Sequence, residues 1–237
     1  MRGERTGVRG YFDRSDEYGL ALLLIIATVL SLAATDVVGS LGRLVAVALG
    51  GGTLLFVLRT SHAGPRRIRT TIGIVLVAMA AAAFGLLIGD ATAGPQAANI
   101  IAFALAFAVP PVILRRIVRA PVITLGIISG ALCIYLLLGL IYAYLFPLVS
   151  ALQGTPFFVQ QPTAGVADYE YFSYTVLSTT GFGDLTAATP LGRMVAISEA
   201  LLGQLFLVSA VALLVGNVGR TLTRARPRNE DADPPAG

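Results

Sequence analysis

Long apolar stretches separated by short charged segments dominate this chain. The stretches end near residues 35, 58, 89, 114, 147 and 219. Most of them approach the roughly 20 residues that a helix needs to cross about 30 Å of hydrocarbon. This pattern predicts an all-α integral membrane protein with six transmembrane helices. The fourth stretch contains two adjacent prolines, Pro110 and Pro111, where a kink is expected, and residues 112–118 are expected to continue as an interfacial helix.

Positive charge marks one side of the predicted membrane. All 17 basic residues are arginine, and most of them cluster in segments 1–17, 59–69, 115–119 and 220–228. The connectors at 90–96 and 148–166 contain no arginine. The pattern predicts a multi-pass protein of the cell membrane. By the positive-inside rule, both of its termini are expected in the cytoplasm. We expect this membrane to be a bacterial plasma membrane.

Composition supports a membrane protein and disfavours several other classes. The chain is 56% hydrophobic with a mean hydropathy of +0.80, whereas soluble domains contain about 45–50% apolar residues. The net charge of +4 fits cytoplasmic anchoring better than nucleic-acid binding. Cys133 is the single cysteine and is expected to be a small buried residue. The single histidine, His62, lies in a basic loop, so neither a metal site nor an enzyme is indicated.

One polar stretch interrupts the apolar pattern near the C-terminal end. The sequence Ser-Thr-Thr-Gly-Phe-Gly-Asp occupies residues 178–184, directly after an aromatic-rich segment. Glycine at every second position permits positive φ there, so successive carbonyl oxygens can point the same way. At membrane depth, irregular backbone is tolerated where protein surrounds it or where it lines a watery path. The stretch is therefore predicted to line a pore.

Residues 179–184 resemble the selectivity filter of potassium channels, usually written T-V-G-Y-G-D, with Thr180 for Val and Phe182 for Tyr. The resemblance extends over roughly residues 123–219. It implies an outer helix, a re-entrant pore helix and filter loop between spans five and six, and an inner helix. One filter copy cannot enclose an ion, so four chains are expected to form a homotetrameric pore. The partners implied are K⁺, the lipid bilayer and copies of the same chain, with no nucleic acid and no cofactor other than K⁺ as the permeant ion.

The resemblance also assigns roles to individual residues. The predicted filter comprises Thr179, Thr180, Gly181, Phe182 and Gly183. K⁺ is expected at the first four of these, with the Thr179 hydroxyl completing the innermost site. Tyr171 and Phe172, in the lead-in segment 168–178, fall where the family has an aromatic cuff, although an interfacial aromatic belt is the alternative. Asp184 would cap the outer mouth and accept a hydrogen bond from Tyr171 of its own or an adjoining chain, and Gly203 stands where family members carry a hinge glycine.

The sixth apolar stretch carries the remaining candidate residues. Four of them share one helical face and are predicted to line the pore: Gln204, Leu207, Val211 and Val215. Packing of this face on the fifth span is the alternative. Glu199 is an ionisable residue at membrane depth, which is costly unless it is paired. We expect pore-helix hydroxyls such as Ser173 to hold it as a structural support, and a titrating gate is the second interpretation.

These observations divide the chain into four segments. They are a cytoplasmic tail at 1–17, a four-helix block at 18–119, a pore domain at 120–219 and a second tail at 220–237. The four-helix block lacks the regularly spaced arginines of a voltage sensor. A signal peptide is the alternative for its first stretch, because basic residues precede small ones there. The predicted function is passive, potassium-selective conduction without strong voltage gating. The alternatives are a less selective cation channel and the membrane subunit of an ion transporter.

Overall fold

The computed structural model of the chain describes residues 15–33, 106–118 and 125–224, with a few isolated positions between 49 and 104. The described helices are α1 (Ser15–Ala33), α2 (Pro110–Val118), α3 (Leu125–Gln153), α4 (Val166–Leu177) and α5 (Pro190–Arg224). The second and third predicted spans, part of the fourth and most of both tails lie outside the described residues. Their boundaries stay predictions, as does the four-part division of the chain.

Two described helices have the length and composition needed to cross a membrane. They are Gly126–Gln153 and Pro190–Leu213. Between them the chain forms the short helix α4 and a non-helical segment, and the described residues contain no strand. One isolated antiparallel bridge joins Phe158 to Ala187. The described part of the chain is thus helical with two apolar candidate spans, while the six-span count stays a prediction.

The fifth predicted span ends later than the sequence indicated. We predicted its end at Phe146 and Pro147, but α3 contains Pro147 and continues to Gln153. Proline removes one backbone donor, and the apolar side chains around it are buried, with Phe146 fully so. The helix ends instead at Gly154, whose φ of +63° is the left-handed conformation that terminates many helices.

The predicted break at the double proline is present. Residues 106–108 are helical, Val109 bends, and helix α2 begins at Pro110. Proline suits the first helical position because its missing N–H would have no partner there. Val109 and Ile113 are both buried against α1 and α3. The break therefore turns an apolar edge of α2 towards the outer helix of the candidate pore.

Two buried clusters pack the described helices together, and the second of them includes α4. The first joins α1, α2 and α3 and contains Cys133, which is free and fully buried as predicted. The second lies between α3, α4 and the segments on either side of α4, and consists of Tyr142, Phe146, Val149, Phe157, Phe158, Phe172 and Ala187. Helix α4 also contacts α1 and α5. It is therefore surrounded by packed helices rather than lying at an edge.

Candidate functional site

Helix α4 begins slightly before the predicted lead-in segment. Its first residue is Val166, and the N–H group of Gly165 donates to Asp168 Oδ2 at 2.8 Å. The side-chain amide of Gln161 donates to the same carboxylate oxygen at 2.7 Å. Asp168 also places negative charge at the positive end of the helix dipole. The helix ends at Leu177, where the Ser178 N–H group donates to the Tyr174 carbonyl oxygen at 3.0 Å.

The backbone after α4 alternates in the sign of φ. Thr179, Gly181 and Gly183 have φ values of +57°, +52° and +81°. The prediction of positive φ at the two glycines is confirmed. Positive φ at Thr179 was not predicted, because a β-branched residue is a rare occupant of that region and incurs about 1–2 kcal/mol there.

Hydrogen bonds from the filter backbone return to the last turn of α4. The Thr179 N–H group donates to the Val176 carbonyl at 2.9 Å. The Thr175 carbonyl accepts from both Thr180 and Gly181, at 2.9 and 3.1 Å. The N–H groups of 179–181 are thus all bonded to the last turn of α4.

The residue that replaces valine in the motif makes a further link to the pore helix. Thr180 Oγ1 lies 2.8 Å from Ser178 Oγ, and Ser178 Oγ donates to the Tyr174 carbonyl at 2.6 Å. Since that donation uses the single hydroxyl hydrogen of Ser178, Thr180 is the donor in the contact between the two hydroxyls. Thr180 therefore directs its hydroxyl towards α4.

Tyr171 supports the far end of the filter stretch. Its hydroxyl donates to Asp184 Oδ2 at 2.8 Å within the same chain, as predicted. Its ring stacks on Phe182 with centroids 6.3 Å apart and planes 6° apart. A tyrosine hydroxyl is protonated at neutral pH and can therefore donate this hydrogen bond. Tyr171 thus contacts both the side chain of Asp184 and the ring of Phe182.

Phe172 occupies a different environment from its neighbour Tyr171. It is buried, and its ring lies within 6 Å of Phe146, Phe157 and Phe158. These edge-to-face contacts are favourable arrangements for aromatic pairs. Phe172 therefore packs α4 against α3 and the preceding loop, and its role as a filter support stays a prediction.

Glu199 joins the inner helix to the pore helix, as predicted for its supporting role. It is fully buried, and its Oε1 lies 2.5 Å from Ser173 Oγ. Ser173 also donates to the Gly139 carbonyl at 2.7 Å. A serine hydroxyl carries one hydrogen and a carbonyl carries none, so a hydrogen on the Glu199 carboxyl group satisfies both contacts. This arrangement links α3, α4 and α5 at one buried point.

Gly203 lies where α5 packs closely against the end of α4. A Cβ atom at this position would lie 2.7 Å from Leu177 Cδ1 and 2.8 Å from the Leu177 carbonyl oxygen. The same carbonyl accepts a hydrogen bond from Tyr135 at 3.2 Å. Helix α5 continues unbroken through this position. Close packing is thus the role that the geometry gives Gly203, and its hinge role stays a prediction.

The predicted pore-lining face is not distinguished by exposure. Gln204, Leu207 and Val211 are exposed in a single chain, but so are Leu205 and Val208 on another face of the same helix. The side chain of Val215 lies outside the described residues. The assignment of this face to the pore stays a prediction.

Two features of the site were missed in the sequence. Glu170 is buried in α4, and neither of its carboxylate oxygens has a hydrogen-bond partner in the described part of the chain. Its presence in the apolar segment before residues 179–183 could have marked Glu170 as a candidate, because ionisable residues at membrane depth are costly. The second feature is the packing of the loop at 154–165 on the segment after residue 184: Phe158 bridges to Ala187, and the Phe157 carbonyl accepts the Ala188 N–H group at 2.8 Å.

The ligands available at this site are backbone carbonyl and hydroxyl oxygens. Within the described ranges, no group of three or more His, Cys, Asp and Glu side chains could hold a metal ion. Oxygens without fixed charge suit a monovalent cation that exchanges its hydration shell and then leaves. Any ion at residues 179–183 would be cargo passing through the site.

Comparison with known proteins agrees with this geometry. No curated protein and no solved structure gives a significant match. Residues 130–220 match a family model described as an ion channel. The matched residues contain most of α3 and α5 and all of α4 and the filter stretch. The match supports an ion channel pore within a membrane protein.

Proposed function

We propose that this protein is a passive potassium channel whose filter is formed by residues 179–183 of four identical chains. The observation that carries the proposal is the alternating positive φ at Thr179, Gly181 and Gly183. Alternating φ signs allow consecutive carbonyl oxygens to point the same way, and the N–H groups of 179–181 are bonded to α4; both features support a carbonyl-lined filter. A ring of such oxygens can replace the hydration shell of K⁺ at comparable free energy.

Four chains are needed because one loop cannot surround an ion. Helix α5 fits such an assembly, since its apolar side chains are exposed in a single chain. Ile197, Leu201 and Leu205 are 52%, 59% and 64% exposed. Neighbouring copies and lipid would cover these side chains, and a closed ring of identical subunits is the usual symmetry of a homo-oligomer. The filter residues, also exposed in one chain, would then face a common axis.

Each part of the site has a distinct role in this proposal. K⁺ binds at the carbonyls of 179–182, with the Thr179 hydroxyl at the inner end. The C-terminal end of α4 carries partial negative charge that favours a cation nearby. Tyr171 and Asp184 hold the outer end, and Glu199 with Ser173 fixes the pore helix on the inner helix. The protein lies in a bacterial plasma membrane, with both termini on the cytoplasmic side.

A less selective cation channel is the second candidate. Phe182 has no hydroxyl to donate behind the filter, and its ring stacks on Tyr171 alone among the described aromatic rings. A filter with fewer hydrogen bonds behind it holds its carbonyls less firmly. Such a filter would discriminate less between K⁺ and Na⁺.

One experiment separates the two candidates. The purified protein is reconstituted in K⁺-loaded liposomes, and efflux is measured with K⁺, Na⁺ or no permeant cation outside, with and without Ba²⁺. The proposal expects K⁺ flux that Ba²⁺ blocks and little Na⁺ flux. Equal K⁺ and Na⁺ fluxes would favour the second candidate. Absence of any cation flux from correctly assembled protein would contradict both.

A further inference from the structure

Thr186, just beyond the filter, has all of its polar groups bound by the loop between α3 and α4. Gln160 Oε1 accepts the Thr186 backbone N–H at 2.9 Å, and Gln160 Nε2 donates to Thr186 Oγ1 at 2.8 Å. The Val159 N–H group donates to the Thr186 carbonyl at 3.0 Å. Because a backbone N–H needs an acceptor, the orientation of the Gln160 amide is determined by this pairing.

The hydrogen bonds between Gln160 and Thr186 lie close in sequence to a strained part of the backbone. Thr186 follows two residues after Asp184, which is held by Tyr171, and Asp184 directly follows Gly183 with its φ of +81°. The end of the filter is therefore attached on two sides. The pore helix holds it through Tyr171, and the 154–165 loop holds it through Gln160.

The loop itself has a fixed position from which to hold Thr186. Phe157 and Phe158 are 2% and 1% exposed, inside the aromatic cluster on α3 and α4. Ser150 Oγ at the end of α3 donates to the Thr155 carbonyl at 2.7 Å. The amide of Gln160 therefore extends from a rigid base, as a residue that positions another element must.

We propose that Gln160 is a positioning residue for ion selectivity, which acts through Thr186 to keep the Gly183 end of the filter in its conducting geometry. The inference rests on the proposed channel function. Each hydrogen bond contributes modestly, but the contacts recur in four subunits. They oppose the turning of carbonyls away from the axis, a movement that would relieve positive φ. Gln160 touches no ion itself.

The test compares variants of the full-length protein reconstituted in liposomes. For Gln160→Ala we expect the K⁺/Na⁺ permeability ratio to fall by about tenfold, from the loss of two to three hydrogen bonds per subunit. We also expect the ratio to recover as K⁺ concentration rises, because bound K⁺ stabilises the conformation that binds it. A general loss of folded protein would instead lower the total flux and leave the permeability ratio of the remaining channels unchanged. Gln160→Glu keeps the acceptor for the Thr186 N–H, so its permeability ratio should fall less than that of Gln160→Ala.

The neighbouring glutamine provides a matched control. Gln161 makes a hydrogen bond of similar length, but to Asp168 at the start of α4, so Gln161→Ala should keep the wild-type ratio. Thr186→Val removes the hydroxyl contacts, keeps the backbone N–H, and provides the measurement if Gln160→Ala does not assemble. A wild-type ratio in Gln160→Ala, or in Thr186→Val where that variant provides the measurement, overturns the inference, and so does an equal fall in Gln161→Ala. Wild-type protein that fails to select K⁺ contradicts the proposed function instead.

Discussion

Replacing Gly183 by alanine tests the filter most directly. Gly183 has a φ of +81°, and a Cβ atom at this position would meet nothing within 4 Å in the chain. The cost of the substitution therefore comes from backbone conformation alone and is about 1–2 kcal/mol per chain. In a ring of four chains the total is about 4–8 kcal/mol, which is comparable to the stability of a whole domain. The loop would relieve this strain by turning its carbonyls away from the axis.

The expected result is loss of conduction without loss of assembly. Liposome flux should fall to the level of empty vesicles for Gly183→Ala, while the mass of the solubilised protein stays that of the wild type. Within one chain the added methyl group contacts no helix. Potassium flux with unchanged selectivity in this variant would refute the assignment of residues 179–183 as the filter.

Gly154 offers a control with the same strain in a different place. Its φ is +63°, and an added Cβ atom would also meet nothing within 4 Å. It lies at the end of α3, away from the filter stretch. Gly154→Ala should therefore lower thermal stability by a similar amount per chain and leave K⁺ selectivity unchanged. Equal loss of flux in both variants would mean that strain anywhere in the pore domain is enough to stop conduction.

Four further predictions concern assembly, the inner ion site, the buried carboxyl group and voltage. The solubilised protein should have a mass four times that of the 24.7 kDa chain, as measured by light scattering, and a conducting monomer would contradict this. Thr179→Ala should keep K⁺ flux but weaken Ba²⁺ block, because it removes a hydroxyl ring and relieves β-branched strain at φ +57°. Glu199→Gln should keep the tetramer, whereas Glu199→Ala should lower its melting temperature by the equivalent of about 1–3 kcal/mol per chain. Bilayer recordings should show a shallow voltage dependence, since each gating charge contributes about 2.3 kcal/mol per 100 mV and no arginine series is present. Steep activation over a few millivolts would contradict that prediction.

The positive φ values of the two glycines were predictable from the sequence, because glycine adopts positive φ without steric cost. Gly181 and Gly183 are spaced for alternating φ, and both have the expected positive values. The pairing of Tyr171 with Asp184 was also predictable, since the resemblance placed both residues. Thr179 was different, because nothing in a threonine indicates positive φ. Its conformation is determined by hydrogen bonds to α4 that exist only in the folded chain.

Features that depend on tertiary packing were less accessible. Proline at 147 suggested the end of a helix, but burial of neighbours such as Phe146 keeps α3 helical to Gln153. Nothing in the charge-free linker after it indicated that it packs on other elements. Its paired aromatics instead insert between α3 and α4, which only a knowledge of the adjoining surfaces would reveal. Gly203 illustrates the same point, since the sequence marks a glycine but cannot tell a hinge from a close contact.

The strained filter and its anchors form one mechanical unit. Positive φ at three alternate residues would relax unless the surrounding structure opposed it. That structure is the pore helix, which is tied to α3 through Ser173 and the Gly139 carbonyl, and again through the Tyr174 hydroxyl, which donates to the Leu136 carbonyl at 2.9 Å. Glu199 ties the same helix to α5. Ser173 and Glu199 are buried, whereas residues 179–183 are exposed in a single chain. In the proposed channel, the rigid contacts therefore lie behind the filter, and the carbonyl oxygens of 179–183 stay free to exchange ligands.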